Sequence, residues 1–251
     1  MKDLGHLSYF LGLEITHSTD ELYITQAKYA SKLLSRAGLT DSKTVDTLVD
    51  LSAHLTPSGG KPLSNPSLYR RLVSSLVYLT ITRPDISYAI HRVSHYLSAP
   101  RSTHYAAVLR ILRYLKGTLF YGLFYSAQSL FILRAFSDTN WARDLTDHRS
   151  TTGYYFLLGS SLISWRSKKQ THVAHSSTEA EYRALADTTS ELLWLQWLLK
   201  NLGVSTSSAT PRYCDNQSAI LLTMISSMNG LNTSRSIFIL SVIILSMVLS
   251  S

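Results

Sequence analysis

Phe136-Ser137-Asp138-Thr139-Asn140-Trp141-Ala142 is the stretch on which the fold turns. It closes an aromatic and aliphatic run, Leu130 to Ser137, with the composition of a core strand, and it sets an acid, Asp138, at the strand's end. Downstream, Gly153 to Leu158 and Leu162 to Trp165 flank Gly159-Ser160, a hairpin signal. A helix is predicted from Ser177-Thr178 to about Asn201, closed by Gly203. Thr178 with Glu181 three residues on fits a capping box, and Leu185, Leu192, Leu195 and Leu199 supply an apolar face. Pro211 to Cys214 reads as a short strand running into Asp215, and Asn216 to Thr223 as a short helix. Strands, helix, strand, helix is the order of a layered α/β unit.

Upstream the pattern differs. Residues 8–17 and Leu22 to Thr25 have strand composition, with Asp20-Glu21 as the turn between them. Ala27, Ala30, Leu33, Leu34 and Ala37 keep helical spacing, and Gly38 ends that helix. Residues 40–67 are rich in Ser, Thr, Gly and Pro and read as a long extended segment. Three helices follow, Leu68–Thr80, Asp85–Leu97 and Ser102–Leu115, with Ser102-Thr103 as capping chemistry for the last. Leu119 to Tyr125 returns to strand composition, which places a domain boundary at 117–130 and opens the second domain near residue 121.

Composition bounds the function. In 251 residues, 45% hydrophobic and 16% charged, there is enough apolar surface for a packed core. Cys214 is the sole cysteine, so an intrachain disulfide and a cysteine-based zinc site are excluded and a reducing compartment is implied. Met1-Lys2-Asp3-Leu4-Gly5 lacks the pattern of a signal peptide, so an intracellular chain is expected. The net charge of +8 fits an anionic partner, nucleic acid before membrane surface. Arg83, Arg92, Arg101, Arg110, Arg113 and Lys116 face one acid, Asp85, in their block. That block reads either as a phosphate-binding face or as a solvated helical surface.

Asp138, Glu181 and Asp215 sit at strand or helix ends, from which carboxylates can converge on a hard divalent ion. Two such ions activate a water and stabilise the leaving oxygen in phosphodiester cleavage. Acids at these places are also common caps, and Asp215 is equally well placed to cap the helix after it. Cys214 reads as a buried strand residue rather than a nucleophile. His91 and His95 share the i,i+4 spacing but lie in a basic surface stretch, and the sequon at Asn232 is discounted without a signal peptide.

At these residues the chain resembles the ribonuclease H domain of copia-type retrotransposon polyproteins. Phe136 to Ala142 resembles its first signature. Asp147 to Tyr154, Ile163 to Gln170, Ser176 to Tyr182 and Tyr213 to Ala219 resemble the blocks that follow, in the family's order. Tyr9 to Glu14, Tyr69 to Val73, Thr82 to Tyr88 and Arg110 to Thr118 look like the end of the preceding reverse transcriptase region. The resemblance covers about residues 1–227. It implies an α/β ribonuclease H-like mixed sheet with flanking helices at 121–227, behind a mostly helical thumb and connection remnant at 1–120. It further implies a two-ion Mg²⁺ site held by Asp138, Glu181 and Asp215. Glu181 is chosen over Glu179 because Ala-Glu-Tyr-Arg-Ala-Leu resembles the family's glutamate segment. The implied reaction is hydrolysis of RNA in an RNA–DNA hybrid, with Arg83, Arg92, Arg110, Arg113, Lys116, Lys168 and Lys169 on the backbone.

The chain departs from the family in two respects. It has no Asp-Asp pair, so the polymerase motif is missing, and no Asp or Glu follows Asp215, where the family's fourth acid belongs. The expected activity is therefore weak or lost. Residues 237–249 are almost wholly apolar, shorter than the roughly 20 residues of a membrane span. The family continues with a segment like Asn-Glu-Arg-Thr-Lys-His-Ile-Glu-Ile-Asp. Codons for it, read one base later, give Met-Asn-Gly-Leu-Asn-Thr-Ser-Arg-Ser-Ile, which is residues 228–237. The tail at 228–251 is thus expected to be an out-of-frame reading that packs little against the sheet. The alternatives are a non-catalytic nucleic-acid-binding module and a tail-anchored membrane protein.

Overall fold

The computed structural model describes residues 7–50, 55–144, 146–204 and 209–228. The tail beyond Met228, its apolar run and the Asn232 sequon lie outside them. The chain forms two compact units, one through Ala127 and one from Gln128. The architecture is mixed α/β, with two four-stranded sheets and six α-helices among the described residues.

In the first unit, β1 (Tyr9–Phe10), β2 (Leu13–His17) and β3 (Glu21–Thr25) make an antiparallel meander. The strand-like run 8–17 is broken because Leu11 (φ 46°) and Gly12 (φ 79°) both take positive φ, the two-residue turn that joins Phe10 to Leu13. The Tyr78 hydroxyl donates to the Leu11 carbonyl and holds that turn.

The sheet's fourth strand is β4 (Leu123–Ser126), paired antiparallel with β3. The two units divide between Ala127 and Gln128, inside the 117–130 window, and this strand belongs to the first. Leu123 to Ser126 looks like the opening of a β-rich second domain, but its partner is about 100 residues earlier, and only the fold shows which strand it joins.

Four helices complete this unit. They are α1 (Ala27–Arg36), α2 (Pro66–Leu79), α3 (Ser87–Ser94, entered through a 3₁₀ turn at Pro84–Ile86) and α4 (Ser102–Gly117). Gly38 (φ 67°) ends α1 in a Schellman arrangement: its N–H bonds the Ser35 carbonyl and the Leu39 N–H bonds that of Leu34. Asn65 caps α2 by accepting from the Leu68 N–H, with Pro66 at the first turn.

Ser102 and Thr103 do not cap α4. Arg101 takes that place, its N–H bonded to Nδ1 of the fully buried His104, while Ser102 and Thr103 fasten residues 59–61. His104 Nε2 donates to the Thr56 carbonyl, and burial lowers its pKa, so the ring stays neutral. Tyr69, Leu72 and Leu76 of α2, Ile90 and Val93 of α3, and Val108, Ile111 and Leu112 of α4 fill the core.

In the second unit, β5 (Leu133–Asn140), β6 (Thr151–Leu158) and β7 (Ser161–Lys169) run antiparallel. A short β8 (Arg212–Tyr213) lies parallel to β5, giving the order β7-β6-β5-β8. Leu133, Ala135, Tyr154 and Phe156 face Leu192, Leu195 and Leu199 of the long helix α5 (Ser177–Asn201). Helix α6 (Gln217–Met228) packs beside α5.

Gly159 (φ 61°) makes the β6–β7 turn. A Cβ there would sit 1.9 Å from Ser129 Oγ and 2.2 Å from the Leu130 carbonyl oxygen. Gly159→Ala is expected to cost about 1–3 kcal/mol, read as a lowered urea midpoint with an unchanged slope.

Candidate metal site and basic surface

The acidic site is built where β5 meets β8. Phe136 pairs with Tyr213 in the parallel ladder, and Asp138 and Asp215 each lie two residues further along their chains. Equal offsets past a shared pair bring the two acids level with each other along neighbouring, parallel stretches of chain. Phe136 stacks between Tyr155 and Tyr213, with ring centroids 4.6 and 4.4 Å apart, which keeps β8 aligned. Asp138 is not at the strand's end as expected. It lies inside β5, paired with Gly153 of β6.

Glu181 arrives from α5. The capping box expected at Thr178 and Glu181 is shifted. Ser176 is the cap, its Oγ accepting from the Glu179 N–H. Glu179 accepts from the His175 N–H and the Arg183 guanidinium. The helix therefore starts earlier than the box predicted, and Glu181 is released from capping to point at the sheet. Gln170, at the end of β7, donates to the Ala180 carbonyl and to Thr152 Oγ1, so it pins this turn of α5 to β6. That positioning role carries no sequence signal, since one glutamine after two lysines looks like surface.

One backbone amide joins two of the acids. The Thr139 N–H lies 2.8 Å from Asp138 Oδ1 and 3.0 Å from Glu181 Oε1. The other Glu181 oxygen accepts from the Cys214 thiol at 3.8 Å. Ligand atoms of Glu181, Cys214 and Asp215 lie within 4.8 Å of one another. Glu181 is 5% exposed, whereas Asp138 and Asp215 are open to solvent. Burial, with the charges of Asp138 and Asp215, pushes the Glu181 carboxyl up to about 7 against the opposing pull of the Thr139 amide. Burial pushes the Cys214 thiol up to about 11, which keeps it protonated and unreactive at neutral pH. Asp215 does not cap α6. Asn216 does, its Oδ1 accepting from the Ala219 N–H, and that leaves the Asp215 carboxylate at the site.

The basic residues divide into two groups. Arg83 is 3% exposed, bidentate to Asp85 at 2.9 and 2.7 Å, and bonded to the Thr118 carbonyl at 2.8 Å. It is unavailable to a phosphate, which corrects its assignment to the hybrid-binding set. Lys116 ties the carbonyls of Thr40 and Ser42 to α4. Lys169 sits between Asp144 and Asp147 at 2.5 and 2.8 Å, and Arg110 holds Thr47 and Asp50. Arg92, Arg113 and Lys168 have no hydrogen-bond or ion-pair partner among the described residues.

Carboxylates carried by two parallel neighbouring strand segments, with a third from the helix over the sheet, define a protein with a candidate hard-cation centre. The relatives give the family. No protein-family model matches the chain. It is 44% identical over 222 residues to the retrovirus-related Pol polyproteins of transposons RE2 and RE1 of Arabidopsis thaliana, an alignment covering 88% of this chain. It is 44% identical over 194 residues to an uncharacterized mitochondrial protein of the same plant, covering 77% of this chain and 80% of that one. The chain belongs to the copia-type retrotransposon Pol family and spans about 15% of the length of the RE2 and RE1 polyproteins. Among the described residues no helix is long and apolar enough to cross a membrane.

Proposed function

We propose that the unit from Gln128 onward is ribonuclease H-like, behind a reverse transcriptase thumb and connection remnant. Its ancestral activity is Mg²⁺-dependent hydrolysis of the RNA strand of an RNA–DNA hybrid. The observation that carries this reading is the Thr139 amide shared by Asp138 and Glu181, with an Asp215 ligand atom within 4.8 Å of one on Glu181.

The donor set fits a hard dication. It offers carboxylate oxygens around a protonated thiol, and their mutual repulsion is what a bound cation relieves. When bound, Mg²⁺ supplies Lewis acidity toward the attacking water and the leaving oxygen. The chain's own part is to place the ligands. Asp138 and Asp215 approach from the sheet and Glu181 from α5, held by the Thr139 N–H and by Gln170 behind Ala180. Of the two lysines of β7, exposed Lys168 is left to hold the hybrid backbone.

Nicking of a hybrid should require Mg²⁺ and vanish in Asp138→Asn. Cleavage that survives chelation would overturn the mechanism. A second reading, a non-catalytic nucleic-acid-binding module, is favoured by the uncommitted Arg92, Arg113 and Lys168. It expects hybrid binding that falls with salt, without cleavage.

A further inference from the structure

Helix α3 and its C-terminal cap carry two histidines, His91 and His95. Their i,i+4 spacing puts both rings on one face of the helix, the ligand spacing of zinc-binding helices. The two Nε2 atoms face each other at 3.1 Å, with ring centroids 4.5 Å apart and planes at 80°. Two imidazoliums could not meet nitrogen to nitrogen at that distance, so at least one Nε2 presents a lone pair. The turn beneath the rings is fixed from the core side. Ile90 and Val93 are buried, and the Val93 carbonyl accepts from the Tyr69 hydroxyl at 2.6 Å. Ser94 Oγ donates to the His91 carbonyl at 2.7 Å. His95 is exposed and His91 half-buried.

We propose that His91 and His95 form a bidentate site for a borderline transition-metal dication, with Zn²⁺ as its representative. Zinc holds imidazole nitrogens at about 2.0–2.1 Å, so two ligands subtending about 90–109° stand roughly 2.8–3.4 Å apart. The observed separation falls inside that range, and the ion takes the place of the proton the two rings share. Imidazole suits Zn²⁺, Cu²⁺ and Ni²⁺, whereas Mg²⁺ prefers oxygen. The pair lies at the C-terminal end of α3, where the last carbonyls favour positive charge. No third His, Cys, Asp or Glu completes a cluster here among the described residues, so water fills the remaining positions. The bound ion clips the last turn of α3 to its cap. Both ligands belong to the first unit, so the site stands whether or not hybrid cleavage is found.

Zn²⁺ titration of the full chain, followed through the ring nitrogen shifts of each histidine, tests it. The Nε2 signals of His91 and His95 should move together with one midpoint, while that of buried His104 stays still. Mg²⁺ should move neither. His95→Ala should weaken Zn²⁺ binding at His91 at least about tenfold, since losing a ligand costs no less than losing an outer-shell partner. His91→Gln should do the same at His95. Glu181→Gln should leave the midpoint unchanged, which separates this pair from ion binding at the acids of the second unit. Zn²⁺ that leaves both rings unshifted would overturn the proposal. So would separate midpoints for the two rings, an equal response to Mg²⁺, or a response that survives either histidine variant with its melting point preserved.

Discussion

Replacing Glu181 with Gln is expected to stabilise the metal-free protein above pH 7 by up to about 3 kcal/mol while removing Mg²⁺-dependent cleavage. The carboxyl titrates near 7 in the fold against 4.5 in an open chain. The folded state therefore holds a proton that the unfolded state has released between those values. Its contribution to stability is complete below 4.5 and is lost as pH rises through about 7. The amide isostere fills the same space without ionising, so that loss should disappear. Mg²⁺ should restore stability to the parent protein at pH 8 and do nothing for the variant. Denaturant midpoints from pH 4.5 to 8.5, with and without Mg²⁺, provide the measurement. Parallel curves for parent and variant would show that Glu181 is not under the strain assigned to it.

Arg83→Ala is expected to cost about 3 kcal/mol of stability in the first unit, at the low end for breaking a buried pair, because Asp85 remains partly solvated. The guanidinium answers both Asp85 oxygens and the Thr118 carbonyl at the end of α4, and lies 5.5 Å from the centroid of the Tyr121 ring. Removal takes the charged partner from the Asp85 carboxylate, leaving it the Tyr114 hydroxyl, and leaves the Thr118 carbonyl with the Tyr121 N–H alone. The same variant should leave the slope of log affinity against log salt for a hybrid unchanged, since Arg83 touches no phosphate. A flattened slope with intact stability would return Arg83 to the binding surface.

Much of the architecture is carried by local chemistry. Gly38 ends α1, Asn65 with Pro66 starts α2, and Gly159-Ser160 turns β6 into β7, because caps and turns act through neighbours a few residues away. The three acids were legible as an ordered set of blocks in the sequence, and the relatives place those blocks in a Pol family. The sequence did not carry how the acids are joined. Glu181 reaches the Thr139 amide across 42 residues, and only once Ser176 caps α5.

The cations show the same limit. Arg83, Arg110 and Lys116 look alike in the chain, yet their acceptors stand 35, 63 and 74 residues away at Thr118, Thr47 and Ser42. Arg92 and Arg113 have no such acceptor among the described residues. Strand Leu123–Ser126 likewise has β composition that any sheet would accept, and tertiary pairing with β3 decides its place. Sequence by itself determined the residue types, the local elements and the family, through signals a few residues long. Tertiary structure alone decided which charges are spent inside the fold and which remain for a ligand, because that depends on groups brought together across long stretches of chain.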